Sequence, residues 1–104
     1  MYAVYTTENF DKEVERLTQE EQGRIKRIFL QLRDNPYVGR QLQYKFLREK
    51  RLEEKRVYYL IYDNLRAVLI VAISGKKNQQ ETINHIINHF DEYKIYLEKI
   101  LVKD

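Results

Sequence analysis

The chain has no cysteine. That removes disulfides, thiolate metal ligands and thiol nucleophiles from its chemistry and fits a cytoplasmic protein. It also lacks any apolar run approaching the roughly 20 residues that span a bilayer. Its opening residues, MYAVYTTENFDKE, show no basic segment leading into an apolar one, so neither export nor a membrane partner is expected. Repeats, low-complexity tracts and linkers are missing as well. At 104 residues, the chain is long enough to bury one core without staples and too short for two, so residues 1–104 are expected to form a single domain. What is present is charge: 34 % of residues are Asp, Glu, Lys or Arg, with a net charge of +3 and a pI near 9.1. That balance suits a nucleic-acid or acidic-protein partner without requiring one.

Apolar periodicity outlines the fold. Tyr2 to Thr6 are β-formers ahead of an N-cap at Thr7 or Asn9. Phe10, Val14 and Leu17, then Ile25, Ile28, Phe29 and Leu32, keep helical spacing on either side of Gly23. Asn35-Pro36 ends that region, because proline cannot continue a helix and disfavours the helical conformation of the residue before it. The period then changes to two, with Leu42, Tyr44 and Phe46 alternating as in a strand. Two β-rich runs follow, Val57 to Tyr62 and Ala67 to Ile73, joined by a turn at Asp63-Asn64. The run AVLIVAI is apolar on both faces, as a central strand requires. From about Lys77 a single stripe, Ile83, Ile86, Ile87, Phe90, Tyr93, Leu97, Ile100 and Leu101, predicts one long C-terminal helix. The expected layout is α+β, β-α-α-β-β-β-α, with a small antiparallel sheet and helices packed on one face.

The charge is concentrated in one place. Between Arg40 and Arg56 lie seven cationic residues and three glutamates, a local excess of four positive charges against three for the whole chain. Tyr44, Phe46, Tyr58, Tyr59 and Tyr62 are interleaved with them. Alternation sets Arg56, Tyr58, Leu60 and Tyr62 on one face of a strand and Val57, Tyr59 and Ile61 on the other. Cations beside stackable rings on an open sheet face suit single-stranded RNA, the cations neutralising phosphate and the rings accepting bases. A solvated hairpin edge, guarded by charge against pairing, is the competing reading.

From Phe46 to Lys77, the residues FLREKRLEEKRVYYLIYDN and VLIVAISGKK resemble the RelE/ParE toxin superfamily. Two preceding helices, the proline-marked turn and the GRQL segment extend the likeness to about Ile83. The resemblance implies a toxin of a type II toxin-antitoxin pair, similar to metal-independent, cofactor-free endonucleases that cut mRNA on the ribosome. In those enzymes the RNA 2′-hydroxyl attacks its own adjacent phosphate. The implied catalytic residues are Arg56, Lys77 and His85. Arg48, Lys50, Arg51, Tyr58 and Lys76 are the implied RNA-binding set, with strand register deciding which of the first three face the groove. No metal is implied: His85 and His89 are spaced i, i+4, but Ile86 stands where the zinc-protease pattern has glutamate.

Ile83 occupies a position where the nucleases of this superfamily often have tyrosine or histidine, which leaves His85 as either a general acid/base or an ordinary helix-surface residue. Two further readings of the same fold stay open, a ParE-like inhibitor of DNA gyrase and an inactive binding module. A cognate antitoxin is the implied partner, giving a toxin-antitoxin hetero-oligomer; the C-terminal stripe is also compatible with a homodimer. Arg56→Ala separates the enzyme from the gyrase inhibitor: it abolishes toxicity in the first case and leaves it largely intact in the second, as read by growth after induction without antitoxin.

Overall fold

The computed structural model describes residues 1–103; the end of the expected domain at Asp104 lies outside them. The strands are β1 (Ala3–Thr6), β2 (Arg40–Gln41), β3 (Leu47–Leu52), β4 (Lys55–Tyr62) and β5 (Ala67–Gly75). The helices are α1 (Glu8–Glu15), α2 (Gln19–Asp34), α3 (Gln79–Asn88) and α4 (Phe90–Lys103). The five strands form one sheet in the order β1-β5-β4-β3-β2. The α+β class and the order of elements are those expected.

Local chemistry accounts for the helix boundaries. The Thr7 hydroxyl accepts a hydrogen bond from the Phe10 amide at 3.1 Å, and Thr18 and Glu21 cap the start of α2 reciprocally. Asn35 ends α2, and its side chain accepts from the Tyr37 amide as Pro36 opens a short 3-10 turn.

Three features differ from the expectation. First, the sheet is mixed: β1 runs parallel to β5, while the other neighbouring pairs are antiparallel. The hydrophobicity of β5 on both sides reflects its interior position. Second, helices cover both faces. Phe10, Ile25, Ile28 and Leu32 from α1 and α2 pack against Val57, Tyr59, Ile61, Val68 and Ile70. Ile83, Ile86 and Leu97 from α3 and α4 pack against Leu47, Tyr58, Leu60, Leu69 and Val71. Third, the C-terminal stripe is split in two at His89, whose backbone amide caps α3 by donating to the Ile86 carbonyl. The break lets α4 lie along the sheet instead of projecting from it. Leu97 is fully buried, and the Tyr96 hydroxyl accepts from the Glu8 amide.

The strand expected at Leu42 to Phe46 is a loop, and the charged run after it forms β3. Its charges are tolerated because most have partners. On the α2 side, Lys55 pairs with Glu21 at 2.8 Å, and Glu53, in the turn after β3, pairs with Arg24 at 3.0 Å. The Lys55 hydrogen bond, followed by the bond from the Thr18 amide, holds the Glu21 carboxyl below its ordinary range. The positive φ of the Asp63 turn falls on Arg66 (50°). Asp63 accepts hydrogen bonds from the hydroxyls of Tyr2 and Tyr37.

Beneath the β2 loop, the Tyr59 hydroxyl donates to the Pro36 carbonyl at 2.6 Å and accepts from the Gly39 amide at 3.1 Å. A Cβ at Gly39 would collide with that hydroxyl and with the Glu49 carbonyl oxygen, so the close approach requires glycine. Burial pushes the Tyr59 phenol up to about 12. An unfolded tyrosine ionises near pH ~10, so the unfolded chain sheds this proton first. The stability conferred is therefore complete below pH ~10 and lost as pH rises through about 12. Tyr59→Phe is expected to cost about 1–3 kcal/mol at neutral pH by urea denaturation, by leaving the Gly39 amide unpaired. The variant should also lose stability less steeply than the parent between pH ~10 and ~12.

Candidate RNA-binding cleft

The register of β3 decides which charges meet. Glu49 pairs with Tyr58 and Arg51 with Arg56 across the β3–β4 ladder, while Arg40 pairs with Glu49 across β2–β3. Alternation then sends Arg40, Glu49, Arg51 and Arg56 to the face covered by α3. Arg48, Lys50 and Leu52 belong to the face covered by α2.

Glu49 is the hub of this arrangement. Only 3 % of its side chain is exposed, and its carboxylate lies 3.4 Å from the Arg56 Nε and 3.7 Å from an Arg40 terminal nitrogen. The Gln79 amide, in the first turn of α3, donates to it at 3.1 Å. A buried carboxylate needs such partners, since charge without compensation is costly in a low-dielectric interior. Arg56, 11 % exposed, is thereby held with its guanidinium beside the cleft.

Two cavities of about 350 and 460 Å³ share Arg40. Glu49, Lys50, Arg51 and Arg56 line the first; Lys76, Lys77, Gln79 and Ile83 line the second. Six cations, Arg40, Lys50, Arg51, Arg56, Lys76 and Lys77, thus line the two cavities with the Glu49 carboxylate, which pairs with Arg40 and Arg56. The excess positive charge can take a phosphate, with the arginines able to offer paired donors and the lysines point charges.

Of the residues singled out from sequence, Arg56, Arg51, Lys76 and Lys77 line this cleft, and Lys50 reaches its rim. Three lie elsewhere. Arg48 donates to the carbonyls of Lys45, Tyr37 and Gly39 at 2.9–3.2 Å and lies over the Tyr37 ring, so it fastens the β2 loop instead of facing the groove. Tyr58 is fully buried, with its hydroxyl 2.8 Å from the Ser74 Oγ, and offers no open ring to a base. Burial raises the Tyr58 pKa, the Ser74 hydrogen bond opposes that rise, and the Glu49 charge adds to it.

His85 lines a different cavity, between α1 and α3, together with Asn9, Glu13, Thr82 and Tyr93. Gln79, Gln80 and Ile83 occupy the cleft side of α3, whereas Asn78, Thr82 and His85, at i, i+4 and i+7, follow the other side. The His85 ring stacks on His89 with centroids 4.0 Å apart. Among the described residues, no group of three or more His, Cys, Asp or Glu is arranged to hold a metal ion. No helix among them is long and apolar enough to cross a membrane.

Arg40, Glu49 and Gln79 are the site residues that sequence reasoning missed. Arg40 was visible as part of the charge excess, but only the register links it to the other two. Glu49→Ala is expected to cost about 3 kcal/mol in urea denaturation, because it leaves the largely buried Arg56 uncompensated. Glu49→Gln, which keeps an acceptor for Arg56 and Gln79 through its side-chain oxygen, should cost less.

No protein-family model and no curated protein matches this chain. Solved structures do match it. A mutant of the E. coli toxin RelE in the free state superposes with a TM-score of 0.72 at 16 % identity, covering 85 % of this chain and 96 % of that one. The archaeal RelE-RelB complex from Pyrococcus horikoshii OT3 gives 0.62 at 18 % identity, covering 72 % and 94 %. The toxin-antitoxin complex RelBE2 from Mycobacterium tuberculosis gives 0.63 at 20 % identity, covering 72 % and 98 %. The chain has a RelE-like toxin fold.

Proposed function

We propose that this protein is the toxin of a toxin-antitoxin pair and cleaves mRNA on the ribosome through its basic cleft. The observation that carries the reading is a buried carboxylate paired with Arg40 and Arg56, in a cavity that shares Arg40 with a second one lined by Lys76 and Lys77, on a RelE-like fold. The chemistry needs no cofactor. The RNA 2′-oxygen attacks the adjacent phosphorus, the bond from phosphorus to the 5′-oxygen breaks, and the products are a 2′,3′-cyclic phosphate and a 5′-hydroxyl.

Each step has a group in the cleft suited to it. Arg56 and Arg40 neutralise the charge that grows on the phosphoryl oxygens, a preorganised stabilisation of the kind that commonly supplies the largest part of such catalysis. Glu49, the carboxylate lining the cleft, accepts the 2′-proton, the arginines that hold it at rest turning to the phosphate. Lys77 gives a proton to the departing 5′-oxygen, with Lys76 beside it as a further phosphate contact. His85 has no role in this scheme.

Antitoxin binding follows from the same reading, since two of the similar structures are complexes of RelE-type toxins with RelB-type antitoxins. An antitoxin segment carrying acidic side chains would complement the cleft. Size-exclusion of the protein alone and mixed with the antitoxin is expected to show a heteromer; an unchanged monomer in the mixture would remove the partner.

Primer extension on mRNA from cells induced without antitoxin is the test of the activity. Breaks within translated codons are expected for the parent and absent for Arg56→Ala. Glu49→Gln should slow cleavage on purified ribosomes by about 10²- to 10⁴-fold, with mRNA binding retained. Growth arrest with intact mRNA would redirect the function to gyrase. Normal growth with intact mRNA would leave a binding module.

A further inference from the structure

Of the rings interleaved with the cations in the sequence, Tyr58, the one implied to meet RNA, and Tyr59, on the other face of β4, are fully buried. Two others are not. Tyr44 and Phe46, each 38 % exposed, stand in the loop between β2 and β3. Their rings stack with centroids 5.3 Å apart and planes 29° from parallel. Phe90, at the start of α4, meets both rings edge-on, at 5.3 Å from Tyr44 and 5.2 Å from Phe46.

Backbone bonds fix this loop. The Leu47 amide donates to the Tyr44 carbonyl and the Leu42 amide to the Leu47 carbonyl, both at 3.0 Å, while Arg48 holds the Lys45 carbonyl from below. The rings are therefore preorganised, yet more than a third of each remains open to solvent.

Position relates the cluster to the cleft. Leu42 and Gln43, the residues just before Tyr44, line the same cavity as Arg40, Lys76 and Lys77. Exposed Lys45 sits between the two rings in sequence. A half-exposed aromatic pair whose first ring follows directly on residues lining a cationic groove is complementary to a strand carrying both phosphates and unpaired bases. An apolar protein partner would gain little from the surrounding cations.

We propose that Tyr44 and Phe46 form a stacking platform for an unpaired base of a single-stranded RNA whose phosphates run through the Arg40–Lys76–Lys77 groove. The proposal rests on the RNA-cleaving reading of that groove and extends the site by one nucleotide-binding position on the β2–β3 loop. Stacking makes the position tolerant of base identity, because every base presents a π face.

The test is fluorescence anisotropy at low salt, using a labelled single-stranded RNA decamer and a matched decamer of abasic ribose phosphates. The parent should bind the RNA more tightly than the abasic strand. Tyr44→Leu/Phe46→Leu keeps apolar cover over Phe90 but has no flat face. It should weaken RNA binding by about ten- to hundredfold and leave abasic binding unchanged, with circular dichroism confirming the fold. Lys76→Ala/Lys77→Ala should weaken both strands alike. Equal affinity of the parent for the two strands would overturn the platform while leaving the cleft reading intact. So would RNA binding by the leucine variant that matches the parent. Absence of binding to either strand would overturn the cleft reading together with the platform.

Discussion

A carboxylate buried in the middle of a basic strand is the constraint around which this molecule is organised. Glu49 points inward from β3 at a position that an apolar residue would ordinarily fill, and it is stable there only because Arg40, Arg56 and Gln79 meet it from three other elements. The same contacts fix the directions of the two arginines. The energetic requirement of one anion thus creates a cationic cleft, since the arginines that satisfy Glu49 remain partly accessible at its rim. If the register of β3 slipped by one residue, Arg48 and Lys50 would replace Glu49 on that face and the cations would lose their common partner.

Covering both faces of the sheet confines function to its end. With α1 and α2 on one side and α3 and α4 on the other, no broad open sheet surface is left to bind nucleic acid. What remains accessible is the corner where the β2 loop, the turn before α3 and the edge of β3 come together. Tyr59 and Arg48 brace that corner from beneath, through the carbonyls of Pro36, Tyr37 and Gly39. Recognition built there depends on the loop being held, so side chains on the opposite face matter to the cleft without touching it.

Much of the fold was legible in the sequence because its signals are local. The apolar run of β5, the helical spacing from Phe10 to Leu32 and the stop at Pro36 each report on neighbouring residues. Alternation also assigned Arg56 and Tyr58 correctly to one face of β4. It could not show that the face is covered, because Ile83, Ile86 and Leu97 arrive from far along the chain. Leu42, Tyr44 and Phe46 mimicked a strand because a loop with an aromatic cluster can alternate too. His85 lies away from the cleft for a different reason. Its place in sequence follows the basic pair closely, but the turn of the helix carries it to the other side of α3. Glu49 was the hardest to foresee, since nothing in a run of charges marks the one that will be buried.

In the function proposed, the cleft around Glu49 and Arg56 positions an RNA phosphate for attack by its neighbouring 2′-hydroxyl. The most direct measurement programmes purified ribosomes with an mRNA carrying a single 2′-deoxynucleotide at the cut site, beside its all-ribo counterpart, and follows cleavage by the purified protein. Cleavage of the all-ribo message to 2′,3′-cyclic phosphate and 5′-hydroxyl ends is expected, with none at the deoxy position. Cutting of both messages at equal rates, or no cutting of either, would contradict it.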